Sequence, residues 1–171
     1  MISISPLTLR DLTYVLANLR EVDWRELKAM LPVGTKRADL PEFIYPTING
    51  PAFCVYNNDQ PIAVFGATQT QIPTLYTGYA YGTNKFRRAA HAIGHFTFNI
   101  LSHMLVNDCH ALRLEIRALA DHKESNEWLV RAGFNKDCEC ECFGTSGETF
   151  IQYSVTAKNY YTVFGIHANL Q

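Results

Sequence analysis

The run Gly82-Thr83-Asn84-Lys85-Phe86-Arg87-Arg88 is where the residue types of this chain come nearest to chemistry. A glycine closes a tyrosine-rich apolar stretch, three cationic side chains follow, and an amphipathic run begins. The first backbone N–H groups of a helix lack intrahelical partners and carry the positive end of its dipole, so a strand-to-helix turn of this kind presents donors to an anion. Lys85, Arg87 and Arg88 add charge, and no Asp or Glu stands between Gln60 and Asn107 to oppose it. The plainer alternative is a solvated basic helix start without a ligand.

Two other groupings carry less. His91 and His95 have the i, i+4 spacing of paired metal ligands on a helix, but no Glu follows His91 and Gly94 lies between them, so no metal is expected. With Asn99 and His103 they form a polar stripe turned to solvent or to a partner. Cys138, Cys140 and Cys142 alternate with Glu139 and Glu141, which in a strand puts all the thiols on one face. They read as small apolar core residues beneath a solvated glutamate face. An odd total of five cysteines does not suit a disulfide framework.

The elements that position these residues follow from periodicity. Ile2 to Ser5 alternates as a first strand. Thr8 with Asp11 resembles a capping box, and Leu9, Leu12, Val15, Leu16 and Leu19 then keep helical spacing. Asp23 with Glu26 reads as a second cap, opening a short helix over Trp24, Leu27 and Leu31. Leu40 to Gly50 is expected to be an irregular but packed connection. Ala52 to Tyr56 and Ile62 to Thr68 flank the polar turn Asn57-Asn58-Asp59-Gln60 as a hairpin, and Thr74 to Tyr81 continues the meander. Asn84 to Asn107 predicts one long helix, with Phe86, Ala90, Ile93, Ile100, Leu101, Met104 and Leu105 on its buried side. Leu112, Leu114 and Ile116 then alternate with Arg113, Glu115 and Arg117 in a strand. A short helix ending at Gly133-Phe134, the Cys/Glu strand, a turn over Gly144 to Gly147 and a strand from Phe150 to Val155 complete the order. Two strands joined through a long helix make a βαβ unit, so a local parallel or V-shaped strand pair is expected, with its crossover on one face.

The chain has 171 residues and a net charge of -1. It is long enough to bury a core as one domain. The balance of charge argues against nucleic acid as a partner. Hydrophobic residues make up 47% and charged residues 18%, below the usual ~25% charged, so part of the surface is expected to be covered by a partner or by another copy. No apolar run is long enough to span a membrane.

The order strand, two helices, three-stranded meander, long helix, strand, short helix, closing hairpin resembles that of the GNAT acyltransferases. That family moves an acetyl group from acetyl-CoA to an amine. Arg10-Asp11-Leu12 and Asn18-Leu19-Arg20 look like the opening of GNAT-like proteins of tailed phages, including small internal virion proteins of short-tailed phages. Trp128-Leu129-Val130-Arg131-Ala132-Gly133-Phe134 looks like the family's terminal Gly-Phe motif. The resemblance implies an α/β fold with a mixed, mostly antiparallel sheet, over a domain spanning 1–157. An aromatic extension over 158–171, containing Tyr160 to Phe164, lies beyond it.

The same resemblance implies an acetyl-CoA site at Gly82, Thr83, Asn84, Lys85, Arg87 and Arg88, without a metal. The family's loop carries Gly-x-Gly or Gly-x-Ala after a Gln or Arg, and here only one glycine stands in that stretch. The tyrosine usually placed four residues before the Gly-Phe glycine, which protonates the leaving thiolate, corresponds to Leu129, which cannot transfer a proton. The family's asparagine some eleven residues before that glycine corresponds to His122, a candidate catalytic residue because a histidine can donate or accept a proton near neutral pH. With no carboxylate in the meander, His91 or a water is left as the base. A degenerate acetyl-CoA site on a structural or interaction component of a virion is therefore the leading expectation, with other virion proteins or further copies as partners and the virion or the host cytoplasm as location. An active N-acetyltransferase acting on a primary amine is the alternative.

Overall fold

A computed structural model describes residues 1–158. The aromatic stretch Tyr160 to Phe164 lies outside the described residues. The chain order is β1 (Ile2–Pro6), α1 (Leu9–Ala17), α2 (Glu21–Ala29), α3 (Leu40–Ile44), β2 (Ala52–Asn57), β3 (Gln60–Gln69), β4 (Leu75–Gly82), α4 (Phe86–Phe96), β5 (Arg113–Leu119), α5 (Lys123–Arg131), β6 (Asn135–Cys140) and β7 (Phe150–Thr156). The strands form one sheet in the order β1-β2-β3-β4-β5-β7-β6. Every neighbouring pair is antiparallel except β4 and β5.

That one parallel pair is short. β4 and β5 pair only at Leu75–Arg113, Tyr76–Leu114 and Thr77–Glu115. Beyond that point Gly78 to Gly82 stay paired with β3, and Ile116 to Leu119 stay paired with β7. The two strands therefore splay apart, and the sheet opens into a V at its centre.

Two cores hold the V from opposite faces. On one face Leu12, Val15, Leu16 and Leu19 of the α1 segment, with Leu27 and Leu40, pack on Cys54 and Val64. On the other, Ala89, Ile93, Leu101 and Leu105 pack on Phe53, Phe65 and Tyr76. The rings of Phe53, Phe65 and Phe96 form a cluster with centroids 4.7 to 5.7 Å apart, a geometry that adds about 1 kcal/mol per pair to burial alone.

Local signals explain most elements. Thr8 caps α1, its hydroxyl oxygen accepting the Asp11 amide at 3.2 Å. Asn58 and Asp59 take positive φ of 49° and 64°, the backbone a two-residue hairpin turn requires and that Asn and Asp tolerate. The Leu40 to Gly50 connection contains α3, flanked by single 3-10 turns at Arg37–Asp39 and Tyr45–Thr47.

Three expectations are corrected. The long helix is α-helical only over Phe86–Phe96 and continues through π turns at Thr97–Leu101 and Met104–Asp108. Each π turn adds a residue to the turn and rotates the buried stripe, so Ile100 is exposed while Leu101 and Leu105 remain buried. Asp23 does not cap α2. The helix begins at Glu21, and Asp23 is turned inward and buried. The thiols of Cys138 and Cys142 are exposed and that of Cys140 is half-buried. β6 is the last strand of the sheet, with a register shift between Lys136 and Cys138; Cys140 packs against the Ala29, Leu119 and Phe150 cluster, and Cys142 lies past the strand at a positive φ of 53°.

Candidate functional site

The splayed strands enclose a cavity of about 570 Å³. β4 contributes Tyr79 and Tyr81, β5 Ile116 and Arg117, α2 Asp23 and Glu26, α4 Arg87 and Ala90, and α5 Trp128, with His122 just before α5. The alternation of β4 sorts its walls. Tyr79 and Tyr81 project to the α2 side, their rings stacked at 5.5 Å, while Gly78, Ala80 and Gly82 face α4. Burial pushes both tyrosine hydroxyls well above their ordinary range, so both remain neutral phenols.

The turn from β4 into α4 is tied into the protein through the amides of Gly82, Thr83, Lys85 and Phe86. Asp23 Oδ2 accepts the Gly82 amide at 2.7 Å, and Arg20 Nε lies 2.9 Å from the same oxygen. The Arg20 amide donates to the Gly82 carbonyl at 2.9 Å, and its guanidinium sits 4.1 Å above the Phe86 ring. That ring packs on Gly82 and leaves no room for a Cβ there. The Thr83 amide donates to the Ile62 carbonyl, the Lys85 amide to the Thr83 hydroxyl, and the Phe86 amide to the Thr83 carbonyl. Lys85 Nζ donates to Gln60 Oε1.

Of the residues that the sequence assigns to anion binding, Gly82 and Thr83 are therefore buried, whereas Asn84, Lys85, Arg87 and Arg88 stand exposed. The anion that the Gly82 amide meets is the chain's own Asp23. Desolvation raises the Asp23 carboxyl from its ordinary range, opposed by Arg20 and by the Gly82 N–H. A CoA pyrophosphate needs open backbone at this turn, and the turn's internal bonding is a poor fit to it.

The opposite wall is differently built. Glu26 Oε2 accepts the Leu119 amide at 3.1 Å and lies 3.5 Å from His122 Nδ1. His122 is buried. The Asn126 side-chain amide braces the segment by sharing its donors among the carbonyls of Leu119, Ala120 and His122 at 3.0 to 3.2 Å, and its oxygen accepts the Tyr153 hydroxyl at 3.0 Å. Leu129 is buried against Ala118, Phe134 and Ile151 and offers no exchangeable proton.

The structure thus brings His122 into the cleft and places His91 elsewhere, on the wall of a second cavity beside α4. It also supplies the carboxylates that the meander lacks. Asp23 and Glu26 come from α2, one helical turn apart on the face that carries Leu27. Their signal in the sequence was a pair of acids within an apolar stripe, which also matches a helix cap. Among the described residues there is no cluster of three or more His, Cys, Asp or Glu that would hold a metal, and no helix is long and apolar enough to cross a membrane.

No family model matches the sequence, and no curated protein matches it. Solved structures do match the fold. The chain superposes on a GNAT-family acetyltransferase from Bacillus anthracis with a TM-score of 0.67 at 12% identity, covering 92% of this chain and 95% of the other. The ribosomal-protein-S5-alanine acetyltransferase from Vibrio fischeri gives 0.66 at 12% identity, covering 93% and 94%. The ribosomal-protein-S18-alanine N-acetyltransferase from Escherichia coli gives 0.61 at 13% identity, covering 91% and 94%. The chain therefore has the GNAT acetyltransferase fold over nearly its whole described length.

Proposed function

We propose that this chain works through its surfaces, as a structural or interaction component of a phage virion, on a GNAT scaffold whose acetyl-CoA site is degenerate. The observation that carries the reading is the Gly82 amide held by the Asp23 carboxylate, within a turn whose other bonds also run inward. Leu129, buried where the family places its proton donor, supports it. The phage assignment rests on the resemblance of Arg10-Asp11-Leu12 and Asn18-Leu19-Arg20. The partners are other virion proteins or further copies of the chain, and the location is the virion or the host cytoplasm.

Calorimetric titration with acetyl-CoA beside a thermal melt tests the degenerate site. A ligand at a hundredfold excess over Kd stabilises by about 2.7 kcal/mol. The expected result is neither heat nor a shift at millimolar acetyl-CoA. A saturable heat with a matching shift would overturn the reading. Mass spectrometry of purified particles tests the virion assignment, which fails if the chain is absent from them.

A second reading is favoured by a specific observation, the Glu26–His122 pair facing the tyrosine-lined cleft. In it the protein is an active N-acetyltransferase that moves an acetyl group from acetyl-CoA to a primary amine. Glu26 or His122 would take the amine proton, directly or through water, at a cost of about 10²–10⁴ in rate if removed. Release of CoA thiol in the presence of amines, abolished by Glu26→Gln, would establish it.

A further inference from the structure

The sheet ends in two outer strands, β1 and β6, whose edges are built differently. β6 carries Lys136, Asp137 and Glu139 and has a register shift against β7. Charge and bulges are the devices that keep a sheet edge from pairing with another chain. β1 has neither. Its sequence Ile2-Ser3-Ile4-Ser5-Pro6 is uncharged, the first charged side chain being that of Arg10, and it pairs with β2 along its whole length without a shift. Ile2, Ser3, Ser5 and Pro6 are exposed, and Ile4 is half-buried.

The hydrogen bonds at either end of β1 fix which backbone groups stand open. The Asn58 amide donates to the Met1 carbonyl and the Leu7 amide to the Ala52 carbonyl, each at 3.0 Å. Alternation along an antiparallel pair then assigns Ser3 and Ser5 to the bonds with β2 and turns the N–H and C=O of Ile2 and Ile4 outward. Among the described residues no strand lies beyond β1 to receive them. Pro6 shares the outward position but has no N–H. We infer that the β1 edge is the contact for a second copy of this chain, the two β1 strands lying antiparallel about a twofold axis at Ser3.

In that register the Ile2 N–H of each copy donates to the partner's Ile4 carbonyl, and its Ile4 N–H donates to the partner's Ile2 carbonyl. The outward donors of Ile2 and Ile4 are then all used, and Pro6, which lacks one, falls outside the pairing. The side chains agree on both faces. Ile2 is 36% exposed and comes beside the partner's Ile4, on the face where Ile4 packs against the core of Phe53 and Phe65. On the other face Ser3 meets its own counterpart with Cα atoms about 4.5 Å apart, and two small uncharged side chains leave that approach open. A twofold contact needs one self-complementary strand, which β1 is, whereas the β6 edge of another molecule brings charge and a shifted register. The pairing rests on the reading of a chain that works through its surfaces, and it names the partner that the β1 surface takes. A contact confined to one strand is at the small end of protein interfaces, so an exchange between monomer and dimer is expected.

Sedimentation velocity of the full chain across a concentration series tests the pairing. The mass should rise with concentration toward that of two chains. Ser3→Lys, at an exposed position, sets two like charges face to face and should weaken dimerisation by about tenfold or more, with the thermal melt of the monomer unchanged. Ser3→Glu should do the same, and an equimolar mixture of the two variants should restore the dimer, because opposite charges then meet at the axis. A chain that stays monomeric to millimolar concentration would overturn the pairing. So would a dimer that Ser3→Lys leaves intact, or a mixture of the variants that stays monomeric. None of these outcomes alters acetyl-CoA titration or the presence of the chain in particles, so the dimer and the surface role can fail separately.

Discussion

The two sides of the β4–β5 cleft face each other across one cavity and are built on opposite principles. At the start of α4 the backbone donors are spent inside the protein, on Asp23, Ile62 and Thr83, and the cations of Arg87 and Arg88 are exposed around a turn with little left to offer. On the α2 and β5 side, Glu26 and His122 line the cavity 3.5 Å from each other, beside Tyr79 and Tyr81. A helix N-terminus attracts anions only while its amides are open. The position of a motif along the chain is thus a weaker guide to binding than the hydrogen bonds that consume its donors.

The contrast is open to direct attack. The largest effect is expected from Asp23→Ala, which leaves the half-buried Arg20 guanidinium and the buried Gly82 amide without their acceptor. A loss of about 3 kcal/mol in urea unfolding is expected, together with faster exchange at Gly82. If acetyl-CoA binding appeared in this variant, Asp23 would be shown to be what closes the turn. Asn126→Ala should follow at about 2 kcal/mol, because three carbonyls and the Tyr153 hydroxyl lose one bracing group. Its near-ultraviolet signal from Trp128 should change while that of the α1 side persists.

A smaller effect is expected from pH. The raised Asp23 pKa means that the native state holds that proton more tightly than the unfolded chain does. The stability it confers is fully present below the ordinary aspartate range and is lost as pH rises through the raised value. Asp23→Asn keeps an acceptor for Gly82 without the charge. Between about pH 4 and pH 7 the wild type should therefore lose stability relative to Asp23→Asn, by about 1.4 kcal/mol for each tenfold by which the folded carboxyl outbinds the unfolded one for its proton. A constant difference in urea midpoint across that range would show that burial does not dominate at this carboxyl. The smallest change belongs to the basic rim. Joint replacement of Lys85, Arg87 and Arg88 by Ala should alter stability by less than about 0.5 kcal/mol. Loss of acetyl-CoA binding in that variant, were binding found, would return the cation run to a functional role.

Much of the architecture was legible along the chain because it rests on local period and turn chemistry. Thr8 and Asp11 announced α1, Asn58-Asp59 the β2–β3 hairpin, and the alternation about Leu114 and Ile116 the strand that completes the βαβ unit. The π turns were not legible, since an added residue per turn leaves an apolar pattern that still looks helical. The thiols of Cys138 to Cys142 were misplaced because alternation assigns residues to a common face without saying whether anything covers it. At the site, His122 was reached through the family pattern, whereas Asp23 and Glu26 were read as a cap.

What the sequence by itself determined is the order and type of the elements, and with them a mixed sheet opened between β4 and β5. Periodicity and capping act over a few residues, so they are written locally. Only the tertiary structure decided what meets at the opening. Asp23 lies 59 residues from Gly82, and Glu26 lies 93 from Leu119. Neither contact has a local signature, because each exists only once two helices and a splayed sheet have packed together.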